Sequence, residues 1–348
     1  MLTNYFTLRA LATEWARLFP GGLLKDAYSQ SKDECTLAMA TPEHAWMLRI
    51  STRRSFPYIF RTDGYNRARR NVATRFAGAL DQAVIGVRLA DRDRVIYLDL
   101  ADGRAFQILL FGPRANVLLV DPDGVIEEAF QRNAALAGCP TPVPEAAPSV
   151  DTFEAFEGRW PQAEPDLARA LSRAMPLFDR DLARETLHRA GCDAPATIDI
   201  AARQRLYSQA RALEADLATP QPTVYWQDDA PAAFTLLPMN AYGSLRAEAF
   251  ESTDRAVAVF VRRRLALDQF LQAYTPLERE LEQAVSHYRQ SSERMLEALA
   301  RESRADRYEH WAHLLMAQPT PTASGAETLT VPDLFADQQP VTVPLTPE

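Results

Sequence analysis

Residues 95–120 read VIYLDLADGRAFQILLFGPRANVLLV. Three apolar runs, 95–100, 105–111 and 116–120, are parted by Asp102-Gly103 and by Gly112-Pro113-Arg114-Ala115, and Asp123-Gly124 follows the third. Short β-prone runs between such turns predict antiparallel strands. Upstream, 35–40 and 45–50 are two further apolar runs around Thr41-Pro42-Glu43-His44, a hairpin pattern. Leu8, Leu11, Trp15 and Leu18 recur at helical spacing before a turn at Phe19-Pro20-Gly21-Gly22, and a second helix is expected over about 66–80. The first 135 residues thus read as an antiparallel meander flanked by helices, and such a sheet commonly leaves one face wet.

Beyond the meander, 139–148 is Pro-rich and fits a linker. Several Ala-rich helices are expected over 165–217, one of them capped by Asp179 and stopped by Gly191. Short strands return at 221–250, and past Ser252 the pattern is helical. There Leu267, Tyr274, Leu281, Tyr288 and Met295 are seven apart, with Phe270, Leu277, Ala284, Ser291 and Ala298 in the matching positions, which is a coiled-coil seam. Pro276 marks a place where this rod kinks or restarts. No second heptad helix is present to cover the seam, so it is filled by a missing C-terminal half or by another chain packing on it. Two strand-like runs, 328–331 and 341–345, close the sequence. The expected division is 1–138, a linker at 139–164, a helical domain with short strands at 165–251, a first long helix at 252–305, and the segment 306–348.

With 348 residues, 47% apolar and 24% charged, the chain is globular and long enough for two or three folding units. No apolar run reaches the roughly 18 residues of a membrane span, and the start lacks a secretion signal, so a cytoplasmic location is expected. Cys35, Cys139 and Cys192 are too scattered for a metal knuckle and too few for a disulfide scaffold. The net charge of −8 is segmental. Residues 1–135 hold 18 basic and 15 acidic side chains, and the remainder hold 20 and 31. Within 53–75, Arg53, Arg54, Arg61, Arg67, Arg69, Arg70 and Arg75 face a single acid, Asp63. Arginine's planar fork suits bidentate phosphate contacts and base stacking, so this clustering fits a nucleic-acid face.

The sequence holds no P-loop, GxGxxG, GxSxG or HExxH. His310 and His313 lie three apart on an expected helix without an accompanying ligand cluster, and they read as structural or surface residues. No catalytic set, metal or cofactor is expected. The pair Asp93-Arg94 stands at the entrance to the strand at 95, just after Asp91-Arg92. A plain charged turn is one reading; a carboxylate orienting an arginine toward a phosphate or base edge is the other. Gly112 to Asn116 likewise reads as a turn that also serves as a contact loop through Arg114 and Asn116.

Taken in order, these features resemble the NFACT family, known also as fibronectin-binding protein A. The opening Phe6-Thr7-Leu8 through Gly22 to Tyr28-Ser29-Gln30, the hairpin ending Leu48-Arg49-Ile50-Ser51, the Asp93-Arg94 pair and Gly112-Pro113-Arg114-Ala115-Asn116 followed by an apolar strand match its motifs. Tyr308 to Gln318 and the terminal Val341 to Pro347 resemble its middle region, with Thr346 in place of an Asp. The Asp-Arg motif is matched two residues earlier by Asp91-Arg92 as well. The family's Arg-Lys pair before that motif is absent at 75–80, and its helix-hairpin-helix glycine is replaced around Leu177.

The resemblance implies an α+β fold. Its antiparallel N-terminal domain would be similar to that of the formamidopyrimidine-DNA glycosylases, followed by a helix-hairpin-helix domain and a long coiled-coil helix, with the family's C-terminal RNA-binding domain lying past the end of this sequence. It also implies ribosome quality control: binding of the large ribosomal subunit with stalled peptidyl-tRNA, and recruitment of tRNA for C-terminal alanine tailing. The site residues it implies, with the arginine cluster, are Asp93, Arg94, Arg114, Asn116, Arg53, Arg54, Arg67, Arg69 and Arg70. An extracellular fibronectin-binding adhesin is the alternative. A glycosylase-like enzyme is disfavoured, because the chain begins Met1-Leu2-Thr3 and lacks the Pro-Glu start of those enzymes.

Overall fold

The structure is a computed structural model and describes residues 1–68, 70–161, 163–192, 199–301, 303–317 and 325–345. Two compact units divide it, 1–269 and 270–348.

In the first unit, helix α1 (Tyr5–Leu18) starts where the Asn4 side chain accepts the Phe6 N–H at 2.9 Å, and it buries Phe6, Leu8, Leu11 and Trp15. Leu18, expected on this face, is exposed; Phe19 takes the buried place, its ring stacked between Trp15 (5.4 Å) and Trp46 (5.7 Å). The chain turns there on Gly21 at φ +86°. At Gly22 a Cβ would lie 2.9 Å from the Trp46 ring, so the closeness of that ring requires a residue without a side chain.

Strands β1 (Leu23–Ser31), β2 (Glu34–Ala40), β3 (Ala45–Ser51), β4 (Tyr58–Asp63) and β5 (Ala73–Thr74) form an antiparallel sheet of order β4-β3-β2-β1-β5. Strands β6 (Val84–Leu89), β7 (Val95–Leu100), β8 (Ala105–Leu109), β9 (Asn116–Val120) and β10 (Ile126–Ala129) form a second, of order β10-β9-β8-β7-β6. The meander is therefore two sheets sharing one core rather than one sheet. The helix expected over 66–80 does not form. Val72, Phe76, Ala79 and Leu80 recur at helical spacing, but Asn71 and Phe76 sit at φ +58° and +50°, which breaks a helix, and Phe76 is buried edge-on to Phe106 at 5.1 Å.

Helix α2 (Asn133–Leu136) leads into an extended segment, and within the expected linker α3 (Phe153–Arg159) forms, capped by Thr152 and buried through Phe156. Then come α4 (Leu167–Ala174), α5 (Arg180–Arg189) and α6 (Ile200–Asp216). Asp179 caps α5 and Gly191 follows it at φ +65°, as their sequence positions imply. Strands β11 (Thr223–Gln227), β12 (Ala230–Thr235) and β13 (Arg246–Ala249) make a small sheet of order β12-β11-β13.

Helix α7 (Thr253–Ala300) begins in this unit. The Glu14 carboxylate accepts the N–H groups of Thr253 (2.8 Å) and Asp254 (3.1 Å), capping the helix from outside its own sequence. Buried Asp254 in turn accepts from Trp15 Nε1 (2.9 Å) and Arg61 Nε (2.8 Å).

In the second unit, α7 continues unbroken past Pro276, so the expected restart is absent. Leu277, Leu281, Tyr288 and Met295 of the heptad stripe are 64–73% exposed there. Helix α8 (Arg304–Ala317) and the hairpin of β14 (Thr328–Pro332) and β15 (Pro340–Pro344) share a small core of Leu314, Val331 and Val343. His310 Nε2 lies 2.8 Å from Asp333, a structural pairing. Of the family-like terminal motifs, Gln318, Thr346 and Pro347 lie outside the described residues.

Candidate nucleic-acid interface

A cleft of about 700 Å3 opens in the first unit between the 90–94 turn, Phe111 and Arg114 on one side and Pro176 to Asp181 with Tyr242 on the other. Its cationic wall comes from two tight turns. The first joins β6 to β7. Arg92 there adopts φ +51°, a left-handed conformation that a non-glycine residue holds only under local constraint. The constraint is the extended segment after α2. The Arg92 guanidinium donates to Ala147 O (2.6 Å) and Pro148 O (2.7 Å), and Arg92 O accepts the Ala147 N–H at 2.9 Å. Asp93 also serves the backbone: it accepts the Arg94 N–H (2.6 Å) and the Glu145 N–H (3.0 Å).

Arg92, Asp93 and Arg94 all line the cleft; Arg92 is tied to the segment and Asp93 closes the turn, and exposed Arg94 stands beside them. Its guanidinium lies 4.7 Å from the centre of the Phe111 ring. Burial lowers its pKa from the ordinary value while Asp93 and Asp179 act the other way; arginine is basic enough to stay charged through such a shift. Arg114, on the turn between β8 and β9, lies 5.1 Å from the same ring and 4.0 Å from Glu145.

Arg53 and Arg54 are exposed on the loop between β3 and β4. They line an adjoining hollow of about 200 Å3 with Pro57, Leu110, Gly112, Pro113 and Ala115, and Pro57 lines both hollows. The fold thus gathers Arg53, Arg54, Arg94 and Arg114 about one ridge formed by Pro57 and residues 111–114.

The other expected residues are placed differently. Asn116 is buried: its Nδ2 donates to Gln131 O (3.0 Å), and its Oδ1 accepts from Val117 N (2.9 Å) and Gln131 N (2.8 Å). Both ends of the amide are spent fixing β9 to residue 131, so Asn116 supports the contact loop from inside and does not reach the cleft. Arg67 is committed to Asp26 (2.6 Å) and Thr74 (3.1 Å) and lies over Tyr28 at 5.2 Å, its charge neutralised at the edge of the first sheet. Arg70 is exposed away from the lining of either hollow. Arg69 lies outside the described residues.

Across the cleft stand two carboxylates, Asp179 and Asp181, with the N-terminal ammonium of Met1 4.0 and 3.3 Å from them. Asp179 Oδ1 accepts the Leu182 N–H at 3.1 Å, and burial raises its carboxyl above the ordinary range. Asp181 accepts the Tyr242 hydroxyl proton at 2.8 Å; burial first, and then this carboxylate, push the Tyr242 phenol up. Sequence reasoning read Asp179 only as a cap and Phe111 only as a strand end, and it gave Tyr242 no role; what unites them is a packing of sheet against helices that no local pattern displays. Among the described residues no cluster of His, Cys, Asp or Glu could hold a metal ion, and no helix is long and apolar enough to cross a membrane.

Residues 4–348 match the family described as NFACT N-terminal and middle domains. The fold is similar to that of the fibrinogen binding protein from Staphylococcus aureus, with TM-score 0.58 and 14% identity over 74% of this chain and 98% of that one. It is similar also to the N-terminal part of the fibronectin/fibrinogen-binding protein from Streptococcus suis, with TM-score 0.55 and 15% identity over 74% and 98%. At such identities the likeness concerns the fold alone. Among curated proteins none matches the chain by sequence.

Proposed function

The chain belongs to the NFACT family, and on that premise we propose that it is an RNA-binding factor of ribosome quality control. It would bind the large ribosomal subunit carrying stalled peptidyl-tRNA and recruit tRNA for C-terminal alanine tailing of the nascent chain. The reading gives the protein no bond-making step: it binds and positions, and peptide transfer stays with the ribosome. The observation that carries it is the convergence of Arg53, Arg54, Arg94 and Arg114 on one ridge, in a chain that is otherwise acidic.

Charge alone supplies affinity without selectivity, and phosphate contacts make it steeply salt-dependent. The 90–94 turn adds direction. Arg92 fixes the turn and Asp93 closes it, so Arg94 is presented at a set place rather than on a flexible loop. The exposed heptad stripe of α7 fits the same reading as a seat for an apolar partner helix.

The test is binding to bulk tRNA at two salt concentrations, with Arg94→Ala alongside, and sedimentation of the protein with ribosomes on a sucrose gradient. Salt-sensitive binding, weakened by about 1 to 3 kcal/mol in the variant, and co-migration with large subunits are expected. A folded protein that binds no tRNA and leaves the subunits unaccompanied refutes the proposal. Protease-accessible protein on the cell surface would then favour the adhesin.

A further inference from the structure

We propose that the groove between α1 and the outer edge of β6 holds an extended acidic peptide of another protein, which joins the second sheet as a further strand. The inference goes beyond the RNA reading and does not rest on it.

Strand β6 is the end strand of its sheet. At its start the outer edge is already taken: the Val84 N–H donates to Gly22 O and the Gly21 N–H to Val84 O, both at 2.9 Å. Past the bulge between Val84 and Gly86 that cover stops. The Ala90 N–H donates inward, to Val95 O at 2.8 Å, so the alternation of an antiparallel ladder turns the N–H and C=O of Val87 and Leu89 outward. Ile85, at the head of this open stretch, is 60% exposed. The turn after α1 thus begins to extend the sheet, and among the described residues no other segment continues it. An edge of this kind is a template for a strand from another chain.

A groove of about 510 Å3 runs along this edge. Its opposite wall is one face of α1, where Ala12, Thr13 and Ala16 present only short side chains. They leave width for a backbone about 4.8 Å from β6, the spacing of neighbouring strands. The rim is cationic: Arg9, Arg17 and Arg88 line the groove with a single acid, Asp91. Arg88 is matched by Asp99 at 3.0 Å. The Arg9 guanidinium donates to a carbonyl, that of Leu217 at 3.2 Å, and the Arg17 side chain enters no ion pair among the described residues. Two cations without a carboxylate favour an acidic occupant. The outward carbonyls then choose between acidic polymers. A peptide backbone brings N–H groups to them, whereas the phosphates of RNA bring no donor and are repelled.

The probe is a capped peptide of about eight residues, an ordinary strand length, alternating valine with glutamate; its lysine counterpart and an oligouridylate of similar length are the controls. Binding to the full chain is read residue by residue from NMR shifts and amide exchange. Main-chain pairing tolerates many sequences. The glutamate peptide is therefore expected to bind and to protect the Val87 and Leu89 amides, while the Arg88 amide, facing β7, exchanges as before. Leu89→Pro removes an outward donor at an edge position that tolerates proline, and should weaken binding about 3- to 10-fold. Arg17→Glu should weaken the glutamate peptide about 2- to 5-fold and strengthen the lysine peptide by as much. Ala16→Trp, at an exposed helix position, fills the groove and should abolish binding; thermal melting confirms that each variant folds. Val87 and Leu89 amides left unprotected by the glutamate peptide at millimolar concentration overturn the proposal. Equal protection by the oligouridylate also overturns it and makes the groove an RNA contact. Protection that grows with protein concentration alone, with a doubled mass in sedimentation, overturns it in favour of a second copy of this chain.

Discussion

Arg92 and Arg94 are two residues apart in one turn, yet the structure gives them opposite duties, and substitution separates them. Arg92 donates one partly buried and one exposed hydrogen bond to the carbonyls of Ala147 and Pro148. A charge-assisted bond of this kind contributes about 1.5 to 3 kcal/mol when shielded and much less in water, so the clamp contributes about 2 kcal/mol in all. For a unit of this size each kcal/mol moves the melting temperature by about 2 to 4 °C. Arg92→Ala should therefore melt about 4 to 8 °C lower, and Arg92→Lys nearly as low, because an ammonium keeps the charge and loses the fork.

A third variant isolates the backbone. The φ of +51° at Arg92 costs a non-glycine residue roughly 1 to 2 kcal/mol. Arg92→Gly removes the clamp and that strain together, and should melt above Arg92→Ala. Limited proteolysis supplies the local readout: cleavage within 140–150 should accelerate in the alanine and lysine variants. Melting curves and cleavage rates of all three variants indistinguishable from those of the unaltered protein would show that these bonds have no energetic content and that the turn holds its shape for another reason.

Asp254 gives a larger effect. Replacing it with alanine leaves the Trp15 N–H without its acceptor and the Arg61 guanidinium without one of its two carboxylates, and should cost about 3 to 5 kcal/mol in urea denaturation, against a smaller loss for Asp254→Asn. A loss below 1 kcal/mol for alanine would contradict the burial described. In the second unit, the Phe335 backbone N–H, and after it His310, hold the Asp333 carboxyl below its usual range. A depressed carboxyl contributes stability above its unfolded pKa of about 3.9 and loses it as pH falls through the folded value. Protection of the amides in the hairpin of β14 and β15, measured against the intrinsic exchange rate at each pH, should accordingly fall below about pH 4, and Asp333→Asn should remove that dependence. A protection profile of the unaltered protein that stays flat into acid would refute it.

Local pattern reached those parts of the fold that local chemistry decides. The apolar face of α1, the strands β7 to β9, the cap at Asp179 and the heptad stripe all announce themselves within a few residues. It failed where tertiary contacts overrule or supply the signal. Residues 66–80 look helical for want of strand alternation, but Phe76 is drawn into the core against Phe106, 30 residues on. The expected linker folds because Phe156 finds a buried place. Of the candidate site, clustering in sequence proved a poor guide to clustering in space. Arg67 lies close to Arg53 in the chain but neutralises Asp26, whereas Arg114, some 60 residues away, shares the ridge with Arg53. Asn116 shows the reverse error: a motif position is kept polar by the needs of a strand end.

The joint at Glu14, Trp15 and Asp254 sets a timetable for synthesis. Residues 15 and 254 are separated by 239 positions, which at about 5 to 20 residues per second takes roughly 10 to 50 s to translate. For that interval α1 exists without the helix start that its carboxylate will cap, and Trp15 without its acceptor. The two sheets can collapse first, on contacts between near neighbours, and α1 can already pack on them through Trp15, Phe19 and Trp46, while its joint to α7 is among the last contacts to close. A nascent protein halted between β10 and α7 would therefore carry both sheets while Glu14 and Trp15 still lack their partners at the start of α7.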